Sequence, residues 1–138
     1  MRQAFHLLTV ATRGKGLVDI TRAIAHFVGE TQMADGLLTV FCRHTSASLM
    51  IQENADSSVQ RDLLRYFETL APQSAAYEHN AEGPDDMPAH LRAALTQTQL
   101  AVPVQGGRMM LGIWQAIYLF EHRAAAHRRE IALHLLGA

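Results

Sequence analysis

The stretch "RMMLGIWQAIYLFEH", residues 108–122, constrains the fold more than any other. Read as a strand, it is apolar on both alternating faces. Met109, Leu111, Ile113, Ile117 and Leu119 share one face, and Met110, Trp114, Ala116, Tyr118 and Phe120 share the other. Such a strand needs cover on both sides, from a second sheet, a helix or another subunit. At 138 residues the chain can supply that cover within one domain, 1–138.

Other segments fill in the architecture. "QAFHLLTVAT" at 3–12 alternates as a strand does, and "RGKG" at 13–16 reads as a turn. "LLTVFC" at 37–42 reads as a strand buried on both faces. "LAVPV" and "EIALHLLG" are two further strands. Helical spacing marks 20–28, with Asp19 as N-cap, and the run Val59, Leu63, Leu64, Phe67, Leu70, with Asp56 or Ser57 at its start and Pro72 ending it. "PAHLRAALTQT" reads as a short helix with Pro88 in its first turn. About seven strand-like segments and three helices, without regular alternation, predict an α+β fold on a mainly antiparallel sheet.

Composition excludes several partners. The net charge of −1 leaves no basic field for nucleic acid or a membrane surface. Basic character comes from eleven arginines and one lysine, Lys15, which favours bidentate recognition of phosphate or carboxylate over Schiff-base chemistry. Cys42 is the only cysteine, so neither an internal disulfide nor a thiolate cluster can form. Its apolar setting predicts a buried, inert thiol. The N-terminus lacks a charged segment followed by an apolar one, and no apolar run reaches membrane-spanning length, so a cytoplasmic protein is expected.

Chemistry concentrates in a few places. "EHNAEGPDDMPAHL", 78–91, packs four carboxylates and two histidines into one stretch. Asp85 or Asp86 should cap the following helix, which sets His90 in its first turn beside a carboxylate. With His79, this is either a capped surface helix or a site for Zn²⁺ or a similar ion. His44 follows a buried strand directly, and Thr45 and Ser46 continue into a turn able to offer hydroxyls and N–H groups to an anion. Glu53 lies nine residues past His44, close enough for one excursion of chain to pair them for acid–base or metal work, while Asn54 and Asp56 are equally natural helix caps. Arg108 follows two glycines that allow close backbone approach. Trp114 and Gln115 either line a pocket or are buried in the strand.

Taken in order, "HTSASL", "ENAD", "GPDDMPAHL", "VPVQGGRMMLGIWQ" and Glu121 with Arg128 and Arg129 resemble the YjbQ-like family over nearly the whole chain. Ile113 departs from it, because a Thr before the Trp–Gln pair is common there. The resemblance implies an antiparallel β-sandwich, a homotrimer with sites near subunit boundaries, and a divalent metal, Zn²⁺ or Mg²⁺, bound through histidine. It also implies a secondary thiamine-phosphate synthase activity, which joins a pyrimidine diphosphate to a thiazole phosphate with loss of pyrophosphate. On that basis the expected metal ligands are His44, His79, Asp86 and His90, and the expected catalytic residues are His44, Glu53, Asn54 and Asp85. Thr45, Ser46 and Arg108 would bind phosphate, the pyrimidine would pack on Trp114, and Gln115 would be a further substrate-binding residue. A metal-dependent hydrolase and a non-catalytic trimeric module for a small anion or metal are the other two readings.

Overall fold

A computed structural model describes all residues, 1–138. The elements run β1 (Arg2–Thr12), β2 (Gly16–Asp19), α1 (Thr21–Thr31), β3 (Gly36–Cys42), β4 (Ala47–Glu53), α2 (Ser57–Leu70), α3 (Asp86–Leu95), β5 (Gln99–Gln105), β6 (Arg108–Met109), β7 (Gln115–Glu121) and β8 (His127–Gly137). Two sheets form, a five-stranded one ordered β1-β8-β3-β5-β6 and a three-stranded one ordered β2-β7-β4. Neighbouring strands in both are antiparallel. The α+β, sandwich-like architecture is therefore as expected.

The core lies between the sheets. Leu38, Val40, Cys42, Leu100, Val102, Ile131, Leu133 and Leu135 point in from the larger sheet. Ala47, Leu49, Ile117 and Leu119 meet them from the smaller one, and Ile24, Phe27 and Val28 of α1 close one end. The other face of β7 is covered by α2, whose Phe67 packs edge-on against Phe120 at 5.2 Å between ring centroids. Asp56 caps α2 by accepting a hydrogen bond from the Ser58 N–H at 2.9 Å. Asp19 accepts from the Thr21 N–H, 2.9 Å, although Ile20 occupies the N-cap of α1.

Three local expectations are overturned. The long strand over 108–122 is broken into β6 and β7 by residues 110–114. There the Gln115 side chain accepts from the Gly112 N–H at 2.8 Å, and the Gly112 carbonyl accepts from the Gln115 N–H at 3.0 Å, closing a turn instead of a ladder. Trp114 is consequently 62% exposed rather than buried. Only β7 keeps apolar cover on both faces, from the opposite sheet and from α2.

The third concerns β3, which is buried on one face only. Leu38, Val40 and Cys42 point inward, while Leu37 and Phe41 remain 49% and 43% exposed. They share the outer face of the sheet with Phe5, Leu7 and Leu136, and cross-strand register sets Leu37 beside Leu136 and Phe41 beside Ala132. Phe5 stacks on its cross-strand neighbour His134 at 4.3 Å. β2 and β4 are strands that the sequence pattern had not distinguished from turns.

Candidate metal centre

The start of α3 and the loop before it bring four ligand-bearing side chains together. His79, Glu82, Asp86 and His90 each offer a ligand atom, and these atoms all lie within 4.8 Å of one another. Asp86 is the buried centre of the group. Its Oδ2 is 2.8 Å from His79 Nε2 and 3.2 Å from His90 Nε2. Glu82 Oε2 is 3.5 Å from His79 Nε2. Asp86 and His90 meet because residues four apart share a helix face. Gly83, at φ +102°, turns the chain between Glu82 and the helix in a conformation that disfavours any side chain.

The tautomer of His90 follows from its other nitrogen. Nδ1 lies 3.0 Å from the Thr45 carbonyl, which can only accept, so Nδ1 carries the proton. In the neutral ring Nε2 is then a lone pair facing a carboxylate oxygen. Two acceptors at 3.2 Å call for a cation or a second proton between them. A backbone carbonyl fixing the ring from behind is also how metal-ligating histidines are oriented. Burial pushes the Asp86 carboxyl up, but its hydrogen bond to His79 and the Arg123 charge beside it outweigh burial and hold it below the usual range. The donor set and its electrostatics therefore fit a divalent ion.

Asp85 occupies the N-cap of α3 but makes no capping hydrogen bond. Its Oδ2 accepts instead from Arg123 Nε at 2.9 Å and from the Ala124 N–H at 2.8 Å. These contacts overcome the upward push of burial and lower its pKa, so Asp85 is a fixed ion-pair partner.

The other candidate residues fall elsewhere. His44 Nε2 accepts from the Glu130 N–H at 2.7 Å and stands outside the four-residue group. Burial, then the Arg129 charge, depresses its pKa. The Thr45 carbonyl meets His90 at 3.0 Å, and the Ser46 carbonyl accepts from Arg129 at 3.2 Å. The His44–Glu53 pair is not formed. β4 runs extended between them, and its seven residues span roughly 20 Å. Glu53 and Gln115 are cross-strand partners at the far end of the β4–β7 ladder. There the Asn54 N–H donates to the Trp114 carbonyl at 3.0 Å, and the Glu53 carboxylate accepts from the Asp56 N–H at 3.2 Å. Arg108 is on the edge strand β6 of the five-stranded sheet, outside the four-residue group.

Sequence reasoning did not single out Glu82 as a ligand. The spacing His79, Glu82, Asp86, His90, at steps of 3, 4 and 4, was the available signal. Glu121 and Arg129 entered only as residues of a family motif, and their pairing in a buried polar layer beneath the site was not expected. Glu121 and Arg129, 0% and 4% exposed, form a two-pronged ion pair, and Thr12 adds its hydroxyl at 2.6 Å. His122 is buried beside them, with Nε2 2.8 Å from the Ser48 hydroxyl. No local pattern near 122 announces this.

The fold and site define a small antiparallel sandwich with a histidine–carboxylate cluster at the mouth of one helix. The family model for UPF0047 protein YjbQ-like matches residues 6–138, and the chain belongs to that family. It is 47% identical over 137 residues to UPF0047 protein sll1880 of Synechocystis, covering 99% of this chain and 93% of that protein. It is 40% identical over 131 residues to YjbQ of Salmonella typhimurium, covering 94% and 95%. Among solved structures, a conserved hypothetical protein of Thermus thermophilus, TT1486, superposes with a TM-score of 0.85 at 34% identity, covering 95% of this chain and 99% of that one.

Proposed function

We propose that this chain is a metal-dependent enzyme whose divalent ion is held by His79, Glu82, Asp86 and His90. The observation that carries the reading is the convergence of the four ligand atoms within 4.8 Å, with His90 Nε2 turned toward Asp86 Oδ2 at 3.2 Å. Two imidazoles among the donors favour Zn²⁺ over Mg²⁺. Such an ion would neutralise charge building on a diphosphate leaving group or acidify a bound water.

The substrate we propose is a phosphorylated heterocycle, with thiamine-phosphate synthase as the named activity. Thr45 and Ser46, beside His90, would donate to a phosphate. Arg108 and Trp114 belong to another region of the same subunit, so their part in the reaction requires a neighbouring subunit. We further propose that the protein is a homotrimer that buries the outer sheet face carrying Phe5, Leu7, Leu37, Phe41 and Leu136. The test is purified protein with a pyrimidine diphosphate, a thiazole phosphate and Zn²⁺. Product above an Asp86→Asn control is expected, and product equal to that control would remove the named activity.

A metal-dependent hydrolase is the second reading, favoured by one observation. The cleft beside His79, about 450 Å³ and lined in part by Gln73, Tyr77, Asn80 and Met87, contains no lysine or arginine to meet a diphosphate. A panel of esters and amides separates the two. Metal-dependent turnover there without synthase activity supports hydrolysis, and stoichiometric metal without turnover in either assay supports a binding module.

A further inference from the structure

We propose that Arg123 is the positioning residue of the metal centre, an inference that rests on the metal reading above. Its guanidinium reaches the ligand-bearing loop at three points. Nε donates to Asp85 Oδ2, Nη1 to Asp86 Oδ1 and Nη2 to the Glu82 carbonyl, each at 2.9 Å. The second contact divides the work of the Asp86 carboxylate. Oδ1 is taken by Arg123, so Oδ2 is the oxygen turned toward His79 and His90. The third holds the backbone of Glu82, whose largely exposed side chain lies 3.5 Å from His79. A planar fork with fixed donor directions can make these contacts at once, and an ammonium cannot.

Arg123 is itself held from below. Its own N–H donates to Glu121 Oε2 at 3.1 Å, and Glu121 is locked to Arg129 in the buried pair. The geometry of the loop is thereby referred to the buried end of β7.

The sign of the effect distinguishes positioning from simple electrostatics. Arg123 is a cation a few ångströms from a cation site, so by charge alone its removal would tighten metal binding. Positioning requires that removal weaken it. The experiment is Zn²⁺ affinity by competition with a chromophoric chelator on the purified chain, wild type against Arg123→Gln and Arg123→Lys. The Co²⁺ d–d spectrum is recorded as a report of coordination, and the melting temperature of each metal-free protein as a check on folding. Arg123→Gln should bind 10- to 100-fold more weakly, about the loss typical for partners that orient metal ligands. Arg123→Lys should recover part of that, and both should alter the Co²⁺ spectrum. A folded Arg123→Gln that binds Zn²⁺ as tightly as wild type, or more tightly, overturns the proposal. Should that variant fail to fold, Arg123→Lys decides, and wild-type affinity with an unchanged Co²⁺ spectrum overturns it. A wild-type chain that takes up neither ion sinks the metal reading and this inference together, whereas tight wild-type binding indifferent to residue 123 sinks only the inference.

Discussion

At the scale of single residues, stability and site depend on a few buried charges. The pair of Glu121 and Arg129 lies beneath the site, and either partner alone would be an uncompensated charge in the interior. Replacing Arg129 with Met should cost about 3–5 kcal/mol in urea unfolding, and the double variant with Glu121→Gln should recover part of it. A loss below about 1 kcal/mol would mean that water replaces the partner. His122 sets an acid limit. Burial, then the Arg92 charge, lowers its pKa from 6.5 to about 3, so the folded protein keeps it neutral. The unfolded chain takes up that proton once the pH drops below 6.5. Stability should therefore be flat with respect to this group above pH 6.5 and fall as the pH drops toward 3. The slope approaches about 1.4 kcal/mol per pH unit. Unfolding free energies of wild type and His122→Gln between pH 7 and pH 5 check this, and equal slopes would refute it. The depressed carboxyls of Asp85, Asp86 and Glu121 act at lower pH, so that window isolates the histidines.

At the scale of elements, backbone approach sets the register. Gly36 of β3 and Gly137 of β8 are cross-strand partners. A Cβ on Gly137 would meet the Asp35 carbonyl oxygen at 2.1 Å, and one on Gly36 would meet that of Leu136 at 2.5 Å. Neither obstacle is a side chain that could swing aside. Gly137→Ala should cost about 1–3 kcal/mol, read as a lowered melting temperature, and an unchanged melting temperature would show that the terminal residues peel away freely. Helical and single-faced elements were the most legible in the sequence, because spacing reports a face directly. β7 was legible as doubly apolar, but its start was not. The turn at 110–114 depends on a hydrogen bond between Gln115 and Gly112, which hydrophobic pattern does not register. β3 misled for a related reason, since its outward Leu37 and Phe41 are as apolar as its inward residues.

At the scale of the whole molecule, the outer face of the five-stranded sheet is the unfinished surface. Large side chains there are exposed in neighbouring rows on β1, β3 and β8. If a trimer buries this face, Phe41→Glu should yield a folded monomer by sedimentation velocity. An assembly of undiminished mass would place the interface elsewhere. Because the four proposed ligands come from one chain, that monomer should still take up metal. Synthase activity that needs Arg108 or Trp114 from a neighbour should be lost from it. No helix is long and apolar enough to cross a membrane.

The stretch from Glu78 to Leu91 marks the boundary between what the sequence determined and what the tertiary structure decided. The sequence determined the helix beginning near Asp86, and with it the meeting of Asp86 and His90 one turn apart, because helical periodicity is local. Its family motifs, taken together, also carried the fold. Only the tertiary structure could bring in Glu82 across a glycine turn, turn His90 through the carbonyl of Thr45, forty-five residues away, and tie the loop to Arg123. It also parted His44 from Glu53, because a strand that pairs with β7 must run extended and carry its ends to opposite sides of the molecule. Such contacts depend on which elements pack together, and no spacing along the chain encodes that.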